Sequence, residues 1–139
     1  MSEAVVLDTN ILVRAVLSKA FLGDNILRKT VSGGRYLVYG AKQFEELVEV
    51  LGYERIRRKY LINDEEMSKL GKWVMKSKEV EPVVVELCRD PDDNYMIGLA
   101  LKVAKNKKAF LVTGDKDVLV LNGKVKNVEI LTPGEFLKL

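Results

Sequence analysis

The stretch Ala4-Val5-Val6-Leu7-Asp8-Thr9-Asn10, running on into Ile11-Leu12-Val13-Arg14-Ala15-Val16-Leu17, decides the fold. A short apolar run rich in β-branched residues predicts a buried strand, and it stops at a carboxylate. Nearly unbroken apolar sequence resumes two residues later and predicts a buried helix. Asp8 therefore falls at the carboxyl edge of a strand in an α/β sheet, where the crevice of an open parallel sheet takes its ligands. Two readings stay open here. Asp8 caps the helix that follows, or it belongs to a site that other acids also reach.

The same alternation continues outward. A short helix over 24–31, closed by Ser32-Gly33-Gly34, leads to a strand at Tyr36-Leu37-Val38-Tyr39. From Lys42 to Leu51, Phe44, Leu47, Val48 and Leu51 mark an amphipathic helix. Glu45 and Glu49 read as its wet face, whereas Glu46 shares a side with Val50 and can face the crevice of Asp8. Asn63 and Glu66 resemble a capping box opening a helix through Met67, Leu70, Gly71 and Val74 to near Lys78, with Trp73 beside the stripe. Glu81-Pro82-Val83-Val84-Val85 predicts a strand ahead of Arg89-Asp90-Pro91-Asp92-Asp93-Asn94. A core helix through Met96, Ile97, Ala100, Leu101 and Ala104 comes next. Strands at Ala109–Thr113 and Val128–Leu131 complete the set, the first ending in Gly114-Asp115-Lys116-Asp117. Thr132-Pro133-Gly134-Glu135 is a helix start. Strands alternating with helices predict a three-layer α/β/α sandwich around a mainly parallel sheet, as a single domain over 1–139.

Composition narrows the chemistry. The 139 residues include 23 basic and 20 acidic ones, a formal net charge of +3 that argues only weakly for a nucleic-acid partner. There is no histidine, which removes Ser-His-Asp, Cys-His and zinc-histidine chemistry and leaves carboxylates, lysine, tyrosine or cation-activated water. A lone cysteine, Cys88, fits a reducing cytoplasm, and no run approaches the roughly 18 apolar residues of a membrane span. The glycines at 33 and 34 match neither nucleotide-binding glycine pattern.

Asp8, the Asp90–Asp93 group and the Asp115/Asp117 pair each follow an apolar strand or open the next helix, and Glu46 sits near the start of another. Helix dipoles and the Pro91 position account for one or two of the acids around Asp92, but three together repel unless something positive sits nearby. Hard divalent cations take oxygen ligands, and two of them about 4 Å apart suit phosphodiester cleavage. Tyr53-Glu54-Arg55-Ile56-Arg57-Arg58-Lys59-Tyr60 reads either as exposed helical charge or as an RNA contact. A phosphoacceptor signalling domain also gathers acids at a sheet edge but wants paired acids near the first strand, where Leu7-Asp8-Thr9 offers one.

Leu7-Asp8-Thr9-Asn10, Glu46-Leu47, Asp90-Pro91-Asp92-Asp93-Asn94 and Thr113-Gly114-Asp115-Lys116-Asp117, in this order, resemble the PIN-domain ribonucleases. The resemblance extends to Leu131-Thr132-Pro133 and is nearest the toxin-like branch related to the VapC toxins of toxin–antitoxin pairs. It implies a PIN-like fold and endonucleolytic cleavage of RNA with one or two Mg²⁺ or Mn²⁺ ions. Asp8, Glu46, Asp93 and Asp115 match the family's acidic quartet, with Asp117 as a further metal ligand and Thr9, Asn10, Asp90 and Thr113 in support. Asp93 is preferred to Asp92 because Ala100 matches the small residue the family carries seven positions on. Arg14, Arg55, Arg57, Arg58, Lys59, Lys105 and Lys108 are the RNA-binding candidates, together with Lys102 and Lys107. A homodimer and an antitoxin partner are implied on the same footing. The alternative is a noncatalytic PIN-like module that binds RNA or protein.

Overall fold

The computed structural model describes residues 2–17, 25–59, 63–65, 68 and 76–139. Its strands are β1 (Ala4–Leu7), β2 (Tyr36–Tyr39), β3 (Lys78–Glu79), β4 (Ala109–Val112) and β5 (Val128–Leu131). They form a five-stranded sheet in the order β3-β2-β1-β4-β5, and every neighbouring pair is parallel. The helices are α1 (Thr9–Leu17), α2 (Asn25–Ser32), α3 (Ala41–Gly52), α4 (Glu54–Lys59), α5 (Pro91–Val103), α6 (Lys116–Leu119) and α7 (Pro133–Leu137).

Burial on both faces explains the continuous apolar strands. Val5 and Leu7 of β1 enter one core with Ile11 and Leu12 of α1, Leu47 and Leu51 of α3, and Phe136 of α7. Ala4 and Val6, pointing the other way, enter a second core with Met96, Ile97, Leu99 and Ala100 of α5 and Val118 of α6. The expected sandwich is therefore present, with helices on both sides of the sheet. Phe136 is fully buried, its ring 6.2 Å from that of Phe110 in an edge-to-face arrangement. Pro91 opens α5, and the Thr132/Glu135 capping box opens α7, as their sequences predict.

The strand order fixes where a site can form. The chain steps from β1 to β2 to β3 in one direction, then returns past β1 to lay down β4 and β5. Order reverses between β1 and β4, so the loops leaving these two strands diverge and open a crevice at their carboxyl ends.

Two expectations are corrected. Residues 81–85 form no strand; the sheet edge is instead the two-residue β3, where Lys78 and Glu79 pair with Val38 and Tyr39. Past Val80 the chain leaves the sheet and crosses α5, with the Val83 amide donating to the Gly98 carbonyl at 3.0 Å. A Cβ on Gly98 would lie 2.2 Å from the Val83 carbonyl oxygen, so glycine is what permits this crossing. The buried stripe of α3 is also rotated: it contains Gln43, Leu47 and Leu51, while Phe44 and Val48 are exposed. Most of the helix expected over 63–78, including Trp73, lies outside the described residues. Among the described residues, no helix is long and apolar enough to cross a membrane.

Candidate active site

Asp8 continues the β1 ladder through its amide, which donates to the Val112 carbonyl at 2.9 Å. Its two carboxylate oxygens have different partners. Oδ1 accepts the Asn10 amide at 3.0 Å, and Oδ2 accepts the Thr113 hydroxyl at 2.8 Å. Asp8 is thus both a helix cap and a residue of the crevice, one oxygen serving each role. Thr113 is itself buried, its amide bonded to the Leu131 carbonyl at 2.9 Å, and its hydroxyl accepts the Asp115 amide at 3.1 Å. One hydroxyl therefore ties the ends of β1 and β4 together.

Two further acids repeat the capping geometry. Asp90 accepts the Asp92 amide at 2.9 Å at the start of α5, and Asp115 accepts the Asp117 amide at 2.8 Å at the start of α6. The loop before α5 is pinned by Asn94, whose Oδ1 accepts the Leu87 and Cys88 amides at 2.9 and 2.8 Å. These bonds give the acids fixed backbone positions before any ligand arrives.

The acids converge on one cleft of about 170 Å³ lined by Asp8, Thr9, Asn10, Lys42, Gln43, Glu46, Asp90, Asp92, Asp93, Tyr95, Met96 and Asp115. Asp93 carries the electrostatic signature of that convergence. Burial, and then the charges of Asp115, Asp90, Asp8 and Asp117, push its carboxyl up to about 6. Burial, and then the charges of Asp93, Asp115, Asp117 and Asp90, raise the Cys88 thiol. Asp117 is exposed and does not line the cleft, although its charge reaches Asp93.

The basic candidates lie elsewhere. Exposed Arg14 borders a separate apolar hollow with Ile11, Ala15, Ile26 and Pro133, and its Nε donates to the Asn10 carbonyl at 3.5 Å. Arg55 is exposed on α4, Arg57 approaches Asp64 at 3.6 Å, Arg58 pairs with Glu54, and Lys59 ends the helix. Lys105 is exposed, and Lys108 pairs with Glu129 at 2.8 Å with its ammonium 4.9 Å from the Phe110 ring centroid. None of these residues lines the cleft.

Lys42, Gln43 and Tyr95 do line it, and sequence reasoning missed all three. Lys42 sits four residues before Glu46, a spacing that puts the two on one helix side and was the available signal. Gln43 is 1% exposed. Its Nε2 donates to the Leu7 carbonyl at 2.8 Å and lies 3.4 Å from Thr9 Oγ1 and 3.5 Å from Met96 Sδ, while its Oε1 accepts the Gly40 amide at 3.1 Å. The buried amide fastens the start of α3 to the end of β1, and α3 carries Glu46 into the cleft that Asp8 also lines.

The donor set suits a hard cation, since every acidic group offered is a carboxylate oxygen, and Asp93 is held high by burial and then by the neighbouring acids. Among the described residues no three acids are already gathered within ligating range of one ion.

A parallel α/β sheet carries capped carboxylates at the switch point of its strand order, and an acidic cleft opens there. The sequence profile of the PIN domain matches residues 4–117, and the chain belongs to that family. PIN domains are generally nucleases that act on RNA or other nucleic acid and use divalent metals. The chain is also similar to a protein of Methanocaldococcus jannaschii, Uncharacterized protein MJ1680. The two are 29% identical over 146 residues, an overlap covering 96% of this chain and 89% of that one. No solved structure matches.

Proposed function

We propose that this chain is a Mg²⁺- or Mn²⁺-dependent endoribonuclease that hydrolyses RNA phosphodiester bonds. The observation that carries this reading is the convergence of Asp8, Glu46, Asp93 and Asp115 on one cleft at the switch point. Asp8 and Asp93 would hold the principal ion, with Glu46 and Asp115 completing its surroundings or holding a second, and Asp117 acting from outside the cleft. When bound, the metal supplies an activated water and neutralises charge on the phosphate. Thr113 keeps Asp8 Oδ2 oriented and holds the Asp115 backbone in register with it. Gln43 fixes the spacing between Glu46 and Asp8.

Purified protein should cut single-stranded RNA in Mg²⁺ or Mn²⁺ and lose activity in excess chelator. Asp8→Asn should lower the rate by about two orders of magnitude or more, each tenfold being about 1.4 kcal/mol of barrier. Full activity in that variant or in chelator sinks the proposal. RNA binding without metal-dependent product identifies a noncatalytic RNA- or protein-binding module instead.

The motif resemblance supports a finer reading as well: the toxin member of a toxin–antitoxin pair, acting on cytoplasmic RNA as a homodimer. Induced expression of the wild-type chain, but not of Asp8→Asn, would then arrest growth, and sedimentation would give twice the chain mass. Unimpaired growth with abundant active nuclease is the result that removes the toxin role.

A further inference from the structure

We propose that Lys42 is the phosphate-binding residue at the mouth of the acidic cleft, kept in place by its ion pair with Asp92; this rests on the nuclease reading above. Six carboxylates line the cleft, and among the described residues Lys42 is the one cationic side chain that joins them. A polyanionic strand approaching those carboxylates is repelled wherever a bound cation does not screen them, so a fixed positive charge beside the metal ligands has a specific use.

The surroundings of Lys42 fit that use. Its backbone is immobilised: the Lys42 amide donates to the Tyr95 hydroxyl at 3.2 Å, and that hydroxyl packs so closely on Gly40 that a Cβ there would lie 2.1 Å from it. The side chain is by contrast half exposed and pairs with Asp92, which is 68% exposed and is the acid of the α5 cluster that points to Lys42. The ammonium also lies 5.6 Å from the Tyr95 ring centroid. The hydrogen bond to Asp92, opposed by burial and reinforced by the charges of Asp92 and Glu46, raises the Lys42 ammonium above its ordinary value. An ammonium has three donors, and Asp92 takes one of them. An exposed pair of this kind is weak, so it stations the ammonium without competing strongly against a phosphate. Pairing with Asp92 also keeps the lysine from neutralising Glu46 and Asp93. The cleft thereby separates its tasks: four inner acids face the metal, and the Lys42–Asp92 pair faces the strand.

The test uses steady-state cleavage of a single-stranded RNA in Mg²⁺ at several salt concentrations. Lys42→Met and Lys42→Gln should raise KM about fivefold or more with kcat within about twofold, a loss of roughly 1 kcal/mol in binding. The slope of log kcat/KM against log salt should become shallower by about 0.7, the value for one lost contact to a single strand. Lys42→Arg should restore both. Asp92→Asn should raise KM in the wild-type background, by less than Lys42→Met does, and should not raise it further in Lys42→Met, because its stationing role runs through the lysine. Unchanged KM and salt slope in both Lys42 variants, or an Asp92→Asn effect that persists without the lysine, overturns the assignment while leaving the nuclease reading intact. Absence of any metal-dependent cleavage by the wild type overturns both.

Discussion

The Thr113 hydroxyl donates to Asp8 Oδ2 at 2.8 Å, joining two residues 105 positions apart across the seam between β1 and β4. Thr113→Val keeps the shape and removes both the donor to Asp8 and the acceptor for the Asp115 amide. Groups that orient metal ligands are commonly worth about 10- to 100-fold in activity or metal affinity, so kcat/KM should fall within that range. Urea denaturation should show a smaller effect, about 1–2 kcal/mol for the lost buried hydrogen bonds. Thr113→Ser should restore most of the activity.

Asp93 gives a pH dependence with a definite sign. Its carboxyl stands at about 6 in the fold against an ordinary 3.8, so the folded chain holds this proton more tightly than the unfolded one. The group's favourable contribution is complete below the unfolded value and is lost as pH rises through the folded value. Metal-free protein should therefore lose thermal stability across that window, and Asp93→Asn should flatten the loss and melt higher near neutral pH. Added Mg²⁺ should raise Tm more at about pH 8 than at about pH 5, where the proton already occupies the carboxyl. Differential scanning fluorimetry over pH, with and without metal, checks both outcomes.

Gln43→Leu should destabilise the chain by about 1–3 kcal/mol, because the Leu7 carbonyl and the Gly40 amide lose a buried partner that leucine cannot replace. Glu46 is carried on the same helix, so cleavage should weaken as well. Equilibrium denaturation and a metal titration of the variant separate the two effects.

At the crossing of α5, Gly98→Ala sets a Cβ against backbone rather than against a movable side-chain end. Alanine gains about 1 kcal/mol in helix propensity, but overpacking typically costs about 1–3 kcal/mol, so the net change should be destabilising. Faster amide exchange at Val83 would report the displaced segment directly, since that amide bonds to Gly98.

What could be read in the sequence was whatever announces itself through apolar runs and caps. Val5 through Leu7 and Phe110 through Val112 are strands buried on both faces, Asp8 and Asp115 sit where strand ends lead into helices, and Asp90 caps the start of α5. Lys78 and Glu79 carry no such mark: they join the sheet edge through backbone pairing alone, with both side chains exposed. Val83 to Val85 look more like a strand than β3 does, yet they lie outside the sheet, where Val83 packs against the bare backbone of Gly98 in α5. Gln43 was hidden for a related reason. A polar residue enters a core when specific acceptors and donors await it, and those are supplied by Leu7 and Gly40 rather than by any local pattern. The basic residues of α4 were legible as a charged helix, but only tertiary placement tells that they lie away from the cleft.

The reversal of strand order has a temporal side. Asp8 is made well before its partner, since Thr113 follows it by 105 residues along the chain. Until β4 slots in beside β1, the first aspartate lacks its hydroxyl partner and the crevice has only one wall. Pairing across such a span is slow compared with local helix formation. Of the four strand pairings, β1 with β4 spans the most sequence, so the cleft takes shape only with the pairing that costs the most chain entropy to close.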